Sequence, residues 1–311
     1  MKILFVICAF VLLEAELQEI GLGDNVPIEF FLNLSPKLIR IKPSMIGGAD
    51  LSPHPYPFMA FLVIYEIDGE GRCGGTLINP RWILTAAHCV GSNPRYIDIY
   101  LGVHKFTNMK SKSIQRFRST SYVKHAEYNE RSLVNDIALV RLPRSAILNE
   151  YVNVVPIPVE TNTYSGENGS ILGWGITDEG AVSETLNSVT VEVISNEACI
   201  KKMKQSMIYQ EIIQSHVCAS GGEGPANGSC LGDSGGPLLV NGIQIGVVSW
   251  GHCCCSLGLP SVFTRMNQYN GWIAENVYSD PTSITNTLLG ITIGIASFAL
   301  LFMFRSNKLV E

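Results

Sequence analysis

The sequence predicts an all-β fold for residues 45–278, and three observations support this prediction. Short runs rich in β-branched and aromatic residues recur along this stretch: FMAFLVIYEI, YIDIYLGV, DIALVRL, SVTVEVI and IQIGVVSW. Clusters of Gly, Pro, Asn and Asp separate these runs, as is typical of strands joined by turns. No alternation of strands with helices is visible, which argues against a parallel α/β sheet and leaves a barrel or a sandwich. Only QYNGWIAENVY, from Gln268 to Tyr278, predicts a helix.

Composition and charge limit the classes of protein to consider. The chain has 311 residues, of which 46% are hydrophobic and 16% charged, and its net charge is −5. This length is ample for a large core. The acidic balance supplies no basic stripe and argues against a nucleic-acid partner. We expect the short KKMK run, Lys201 to Lys204, to be a solvated face.

The first 44 residues predict a leader and a pro-segment. Residues 1–15, MKILFVICAFVLLEA, place Lys2 before an apolar run and end on Ala15. The run is too short to span a bilayer and has the form of a secretory signal peptide, with a retained anchor as the alternative. Residues 16–44 contain three prolines and little pattern, so we interpret them as a pro-segment.

The C-terminal end predicts a membrane anchor. Residues 284–304 carry no charge, and a helix of this length would reach about 31 Å, enough to cross the hydrocarbon layer. Arg305 and Lys308 follow within the tail 305–311, and Asp280 precedes within the linker 279–283. The basic flank belongs in the cytoplasm, so the body lies outside the cell. Two alternatives are a tail removed for a lipid (GPI) anchor and a buried core helix.

Cysteine usage agrees with an extracellular body. There are nine cysteines, and Cys8 lies in the predicted signal peptide. In an oxidising compartment the other eight would form disulfides, although sequence alone leaves their connectivity open.

Three segments carry residues suited to acyl transfer: LTAAHCV, NDIALVRL and GSCLGDSGGPL. This chemistry needs a nucleophile, a base that takes its proton, and a buried carboxylate that fixes the base. Ser234, His88 and Asp136 are the candidates for these three roles. Each residue is a weak signal alone, but the three together, in this order and with these flanks, are a strong one.

The chain resembles a chymotrypsin-like, trypsin-family serine protease. The blocks that carry the resemblance are CGGTLINPRWILTAAHC, NDIALVRL, GWG, GDSGGPL and VSWG, and the resemblance as a whole covers residues 45–278. The order His, Asp, Ser differs from that of α/β-hydrolases and subtilisins. The resemblance implies two six-stranded antiparallel β-barrels with a cleft between them, and a serine endopeptidase acting through an acyl-enzyme. It implies polypeptide substrates and protein inhibitors as partners, no cofactor and no metal.

Further roles follow from the resemblance. The backbone N–H groups of Gly232 and Ser234 would form the oxyanion hole. Ser249 would hydrogen-bond Asp136, and the edge formed by Ser249, Trp250 and Gly251 would pair with an extended substrate. The implied disulfides are Cys73–Cys89, Cys199–Cys218 and Cys230–Cys254, which leave Cys253 and Cys255 over. A metal site at this cysteine run is disfavoured, because adjacent cysteines do not converge on one ion.

The resemblance also implies activation by a cut between Ser44 and Met45. The new amine of Met45 would pair with Asp233 and shape the oxyanion hole. Family zymogens usually carry Arg or Lys where this chain has Ser44, and Pro43 would hinder a cut at Lys42. We therefore expect either an activating protease that cuts after a small residue or a chain that is rarely activated. The second option leads to the alternative function, a catalytically silent binding protein at the cell surface.

Specificity and glycosylation complete the sequence predictions. The floor of the substrate pocket would be Gly228, where trypsin-like members place Asp, and the walls would be Gly251 and Ser261. Without an acidic anchor a basic side chain would enter unpaired, so we expect cleavage after uncharged apolar residues such as Leu, Met or Phe. The sequons at Asn33 and Asn168 predict glycans, while Asn227, directly before the pocket floor, is expected to be bare.

Overall fold

The computed structural model describes residues 49–50, 56–106, 111, 113–175, 183–205, 210–221, 234–251 and 259–278. These residues form two antiparallel sheets, so the all-β prediction is confirmed. Strands β1 to β14 span Ala49–Asp50, Met59–Glu66, Gly69–Asn79, Trp82–Thr85, Tyr96–Leu101, Gln115–Ser119, Tyr122–Lys124, Ala138–Arg141, Asn168–Gly173, Asn187–Ile194, His216–Ser220, Pro237–Val240, Ile243–Trp250 and Ser261–Arg265. Each of the five runs predicted as strands contains one.

The C-terminal sheet is a closed barrel. Its pairing order is β10-β11-β14-β13-β12-β9, and β9 pairs again with β10, which closes a ring of six strands. The short strand β1 adds to the outside of β10, where Ala49 and Asp50 pair with Ser188 and Asn187. One of the two predicted six-stranded barrels is therefore confirmed.

The N-terminal sheet differs from the prediction. Among the described residues it has seven strands in the open order β6-β5-β2-β3-β4-β8-β7, a half-barrel rather than a closed one. A turn at Ser119 and Ser121 explains this result, because the Ser119 hydroxyl donates to Arg141 O (2.6 Å) and accepts from the Ser121 N–H (3.0 Å). The chain is thereby split into β6, which pairs with β5, and β7, which pairs with β8.

Alternating burial gives each sheet its core. In β10 the valines at 189, 191 and 193 are buried, whereas Thr190 and Glu192 between them are exposed. Such a period of two is what one solvated and one packed face requires. Between the two sheets, Phe61 and Val63 pack in one cluster with Trp174 and Leu239, so apolar contacts join the halves of the molecule.

Two α-helices lie among the described residues, and the sequence analysis missed one. The predicted C-terminal helix is present as α2, Asn270–Tyr278, whereas α1, Asn196–Gln205, was not predicted. Helix α1 begins with a typical N-cap, since the Ala198 N–H donates to Ser195 Oγ (3.2 Å). Lys201 and Lys204 are exposed as expected, but Met203 between them is buried.

The predicted leader, pro-segment, C-terminal linker, membrane segment and tail all lie outside the described residues. Within the described part of the chain, no helix is both long and apolar enough to cross a membrane.

One buried hydrogen bond joins the two sheets directly. Thr76 Oγ1, on β3, donates to Gln244 Oε1, on β13, over 2.7 Å, and both residues are fully buried. The Gln244 N–H also donates to Pro156 O in the connection between the sheets (2.9 Å). These contacts hold the two halves of the molecule together.

Replacing Thr76 by Val should lower the free energy of unfolding by about 1–3 kcal/mol, because Gln244 Oε1 would lose its donor in a buried site. Urea unfolding measures the effect. Thr76→Ser is the matched control, since it keeps the hydroxyl and should retain most of the stability. Equal loss in the two variants would contradict a role for the hydrogen bond.

Candidate active site

Strand pairing brings His88 and Asp136 together. The antiparallel strands β4 and β8 pair Thr85 with Ala138, so the end of β4 lies beside the start of β8. His88 follows β4 in a single 3₁₀ turn, His88–Val90, and Asp136 precedes β8. His88 Nδ1 lies 2.7 Å from Asp136 Oδ2, and the His88 backbone N–H donates to Oδ1 (2.9 Å). A carboxylate can only accept, so this contact places the ring proton on Nδ1.

The C-terminal sheet supplies the other partners of Asp136. Ser249 Oγ donates to Asp136 Oδ2 (2.6 Å), and Thr264 Oγ1 donates to the Asp136 carbonyl (2.8 Å). The Asp136 side chain is completely buried. Burial alone would raise the pKa of Asp136, but the hydrogen bonds and charge of His88 and the bond from Ser249 outweigh it, so the pKa lies below its ordinary value. The carboxylate therefore stays ionised at neutral pH.

Ser234 is linked through the backbone and a disulfide to the segment that carries His88. The Gly74 N–H donates to Ser234 O (2.8 Å), and Gly74 follows Cys73, which is bonded to Cys89, the neighbour of His88. On the other side, the Gly235 N–H donates to Val248 O (2.9 Å), two strand positions from Trp250. Ser234 is thus tied to both sheets and is partly exposed.

Gly235 has to be glycine for this arrangement. Its φ is +77°, and a Cβ there would lie 2.2 Å from Thr85 Oγ1 and 2.6 Å from Gly74 O. Any side chain would push Ser234 away from β3 and β4. The glycine after the candidate nucleophile is therefore required by close packing as well as by backbone conformation.

The candidate substrate edge is only partly described. Ser249 and Trp250 end β13, Gly251 follows, and a Cβ on Gly251 would lie 3.6 Å from Ser261 Oγ. The predicted pocket walls, Gly251 and Ser261, thus face each other. Asn168 begins β9 and is exposed, as a glycan would require.

Several predicted site residues lie outside the described residues, namely Met45, Gly228, Gly232, Asp233, Cys230, Cys253, Cys254, Cys255, Asn33 and Asn227. Of the expected disulfides, the structure contains Cys73–Cys89 and Cys199–Cys218. Cys73, His88 and Cys89 have ligand atoms within 4.8 Å of one another, but both sulfur atoms belong to the disulfide. This group therefore offers no thiolate for a metal.

Sequence reasoning missed residues that hold Asp136 and Ser234 from distant parts of the chain. Thr264 was not predicted, and its partner lies 128 positions earlier in the chain. Gly74 was quoted within a motif but given no role, although its N–H fixes Ser234. Neither residue type signals such a function, so only the folded arrangement identifies these roles.

Comparison with known proteins decides the family. The family model described as Trypsin matches residues 45–273, which is most of the chain. The chain belongs to the trypsin family. Kallikrein-4 of Homo sapiens is 33% identical over 234 residues, covering 75% of this chain and 87% of that protein. Brachyurin of Leptuca pugilator is 34% identical over 234 residues, covering 74% and 96%.

A solved structure gives the same result for the fold. The structure of GrC aligns with a TM-score of 0.66 at 31% identity and covers 74% of this chain and 98% of that one. The trypsin-family domain thus accounts for nearly all of the described residues, and the two disulfides found among those residues fit an extracellular location.

Proposed function

We propose that the chain is an active serine endopeptidase that hydrolyses peptide bonds in proteins. The observation that carries this proposal is the buried Asp136 carboxylate, which accepts hydrogen bonds from both His88 and Ser249. An ionised carboxylate in this position fixes the imidazole tautomer that can take a proton at Nε2. Family membership supplies the reaction class, and this geometry supports activity in this member.

In the proposed mechanism, Ser234 Oγ attacks the scissile carbonyl while His88 takes its proton and later delivers it to the leaving amine. Asp136 stabilises the imidazolium that forms in between. The backbone N–H groups of Gly232 and Ser234 bind the oxyanion, and one such donor is worth about 3 kcal/mol of the barrier. Water then attacks the acyl-enzyme, and His88 takes the proton of this water and returns it to Ser234 Oγ. No cofactor takes part.

The proposed specificity is for uncharged apolar residues before the cleaved bond. Gly228 would form the pocket floor, so no carboxylate lies there to neutralise Lys or Arg. Burying an unpaired charge costs several kcal/mol, which disfavours basic side chains. Ser261, facing Gly251, narrows the slot from one side, which favours Leu, Met or Phe over larger groups.

We also propose that the protein is a zymogen whose activation depends on the bond between Ser44 and Met45. Strand β1 begins four residues after Met45 and is anchored on β10, so a short free terminus would start from a fixed point. The amine of Met45 would pair with Asp233 and complete the oxyanion hole. The activating protease would have to cut after a small residue.

The remaining proposals concern location and partners. A signal peptide at residues 1–15 and an apolar segment at residues 284–304 would hold the domain at the outer face of the plasma membrane, by a transmembrane helix or a lipid anchor. Glycans at Asn33 and Asn168 and binding of protein inhibitors fit that location. Loss of catalysis would leave the alternative function, a silent binding protein on the same fold.

Activity is tested with a fluorophosphonate probe that labels activated serines. We expect the chain cut before Met45 to be labelled stoichiometrically, because His88 and Asp136 activate Ser234. The Ser234→Ala variant is the control and should not be labelled. A correctly processed, folded chain that remains unlabelled would support the binding protein instead.

Specificity is tested with a peptide library in which the residue before the cleaved bond varies. The expected profile is dominated by Leu, Met or Phe, with Lys and Arg disfavoured by about a hundredfold, since several kcal/mol separate them. A profile dominated by Arg or Lys would contradict the proposed pocket.

Activation is tested by replacing Ser44 with Arg. The wild-type chain should respond poorly to trypsin, because a cut at Arg40 leaves a terminus four residues too long and Pro43 hinders a cut at Lys42. The Ser44→Arg chain should become fully active after trypsin treatment, and the further change Asp233→Asn should abolish the gain. Full peptidase activity in an uncut chain that keeps residues 16–44 would refute this mechanism.

A further inference from the structure

The backbone just before Asp136 is held in an unfavourable conformation. Asn135 has φ +56°, and Leu133, two residues earlier, has φ +53°. Non-glycine residues in this region cost about 1–3 kcal/mol and persist only where the surroundings hold them. The Ile137 N–H donates to Asn135 O (2.8 Å), which closes a tight turn with Asp136 at its centre. The direction of the Asp136 side chain therefore depends on the conformation of Asn135.

Both ends of the Asn135 side chain are fixed by hydrogen bonds. Asn135 Nδ2 donates to Glu127 O (3.0 Å), and Asn135 Oδ1 accepts from the hydroxyl of Tyr269 (2.8 Å). Glu127 lies earlier in the same connection, whereas Tyr269 lies 134 residues further along, directly before α2. Two separate parts of the chain thus prevent this amide from turning.

Tyr269 is itself firmly placed. Its residue is 4% exposed, its carbonyl accepts from the Ile273 N–H in α2 (2.8 Å), and its ring meets His125 edge-on at 5.4 Å. Burial raises the pKa of Tyr269, despite a hydrogen bond from Ser215 that acts in the opposite direction. The phenol therefore keeps the proton that it donates to Asn135 throughout the neutral range.

We propose that Tyr269 and Asn135 are positioning residues for the Asp136 carboxylate, so that the segment before the C-terminal helix sets the geometry of the catalytic centre. The proposal rests on the peptidase activity proposed above. In this proposal, neither Tyr269 nor Asn135 touches the substrate or His88. They hold the turn from which Asp136 reaches His88 Nδ1, the His88 N–H and Ser249 at 2.7, 2.9 and 2.6 Å.

A second tyrosine provides a matched control. The hydroxyl of Tyr128 is also buried, but within the described part of the chain it has no hydrogen-bond partner. Burial, and after it the charge of Asp136, raise the pKa of Tyr128, so this ring too lies within the electrostatic reach of Asp136. Tyr128→Phe and Tyr269→Phe therefore remove the same atom from similar surroundings, and only the second breaks a bond to Asn135.

The experiment measures kcat and KM per titrated active site for the fully processed chain. We expect Tyr269→Phe to lower kcat about tenfold with KM changed less than about twofold, since small misplacement of a catalytic group can cost up to 10²-fold in rate. Tyr128→Phe should match the wild type. Normalising to titrated sites removes any loss that is due only to unfolded protein.

Substitutions at Asn135 separate the backbone from the amide. Asn135→Gly loses both hydrogen bonds but adopts positive φ without strain, whereas Asn135→Ala loses the bonds and resists that conformation. We expect kcat to fall in the order Asn, Gly, Ala. Equal kcat in the glycine and alanine variants would overturn the proposed route through the backbone turn.

The decisive arm places Tyr269→Phe in an Asp136→Asn background. Because Tyr269 acts through the ionised carboxylate, the tenfold effect should disappear there, and retention of the full effect would overturn the proposal. An active wild type with Tyr269→Phe equal to Tyr128→Phe would overturn the positioning role alone. A processed wild type without any titratable site would overturn the proposed function together with this proposal.

Discussion

The structure depends on one buried charge, the carboxylate of Asp136. A fully buried carboxylate is tolerated only when hydrogen bonds replace its lost hydration, and removing one partner of a buried charge typically costs about 3–5 kcal/mol. Its donors come from both sheets: His88 from the N-terminal half and Ser249 from the C-terminal barrel. The two halves of the molecule must therefore meet at this residue.

The other polar contacts between the sheets support the same junction. The Gly74 N–H binds Ser234 O, Thr76 binds Gln244, and Thr264 binds the carbonyl of Asp136. Apolar packing around Phe61 and Trp174 also joins the sheets, but this attraction is not directional. The hydrogen bonds are directional and therefore fix the position of one sheet relative to the other. Ser234 precedes β12 of the C-terminal barrel and His88 follows β4 of the N-terminal sheet, so these short bonds tie together the segments that carry the candidate nucleophile and the candidate base. The same logic explains why Gly235 cannot carry a side chain.

Much of this arrangement could be predicted from the sequence because it is encoded locally. The β-branched run SVTVEVI predicted β10, and the motifs around His88, Asp136 and Ser234 predicted the candidate site residues. The open N-terminal half-barrel was not predictable, since it depends on the Ser119 hydroxyl binding a carbonyl on a strand more than twenty residues away. Helix α1 was not predicted, although Ser195 before it is a residue type that is typical of an N-cap. Thr264, Asn135 and Tyr269 gave no local signal, because their roles exist only once distant segments have packed together.

The Asp136 carboxylate holds His88 with its proton on Nδ1. Proton and nitrogen NMR of the His88 ring, recorded on the processed chain at neutral pH, shows which ring nitrogen carries the proton. We expect a protonated Nδ1 whose hydrogen lies far downfield in the hydrogen bond to Asp136, and loss of that signal in Asp136→Asn. A proton found on Nε2, with no downfield signal, would rule out this role for Asp136.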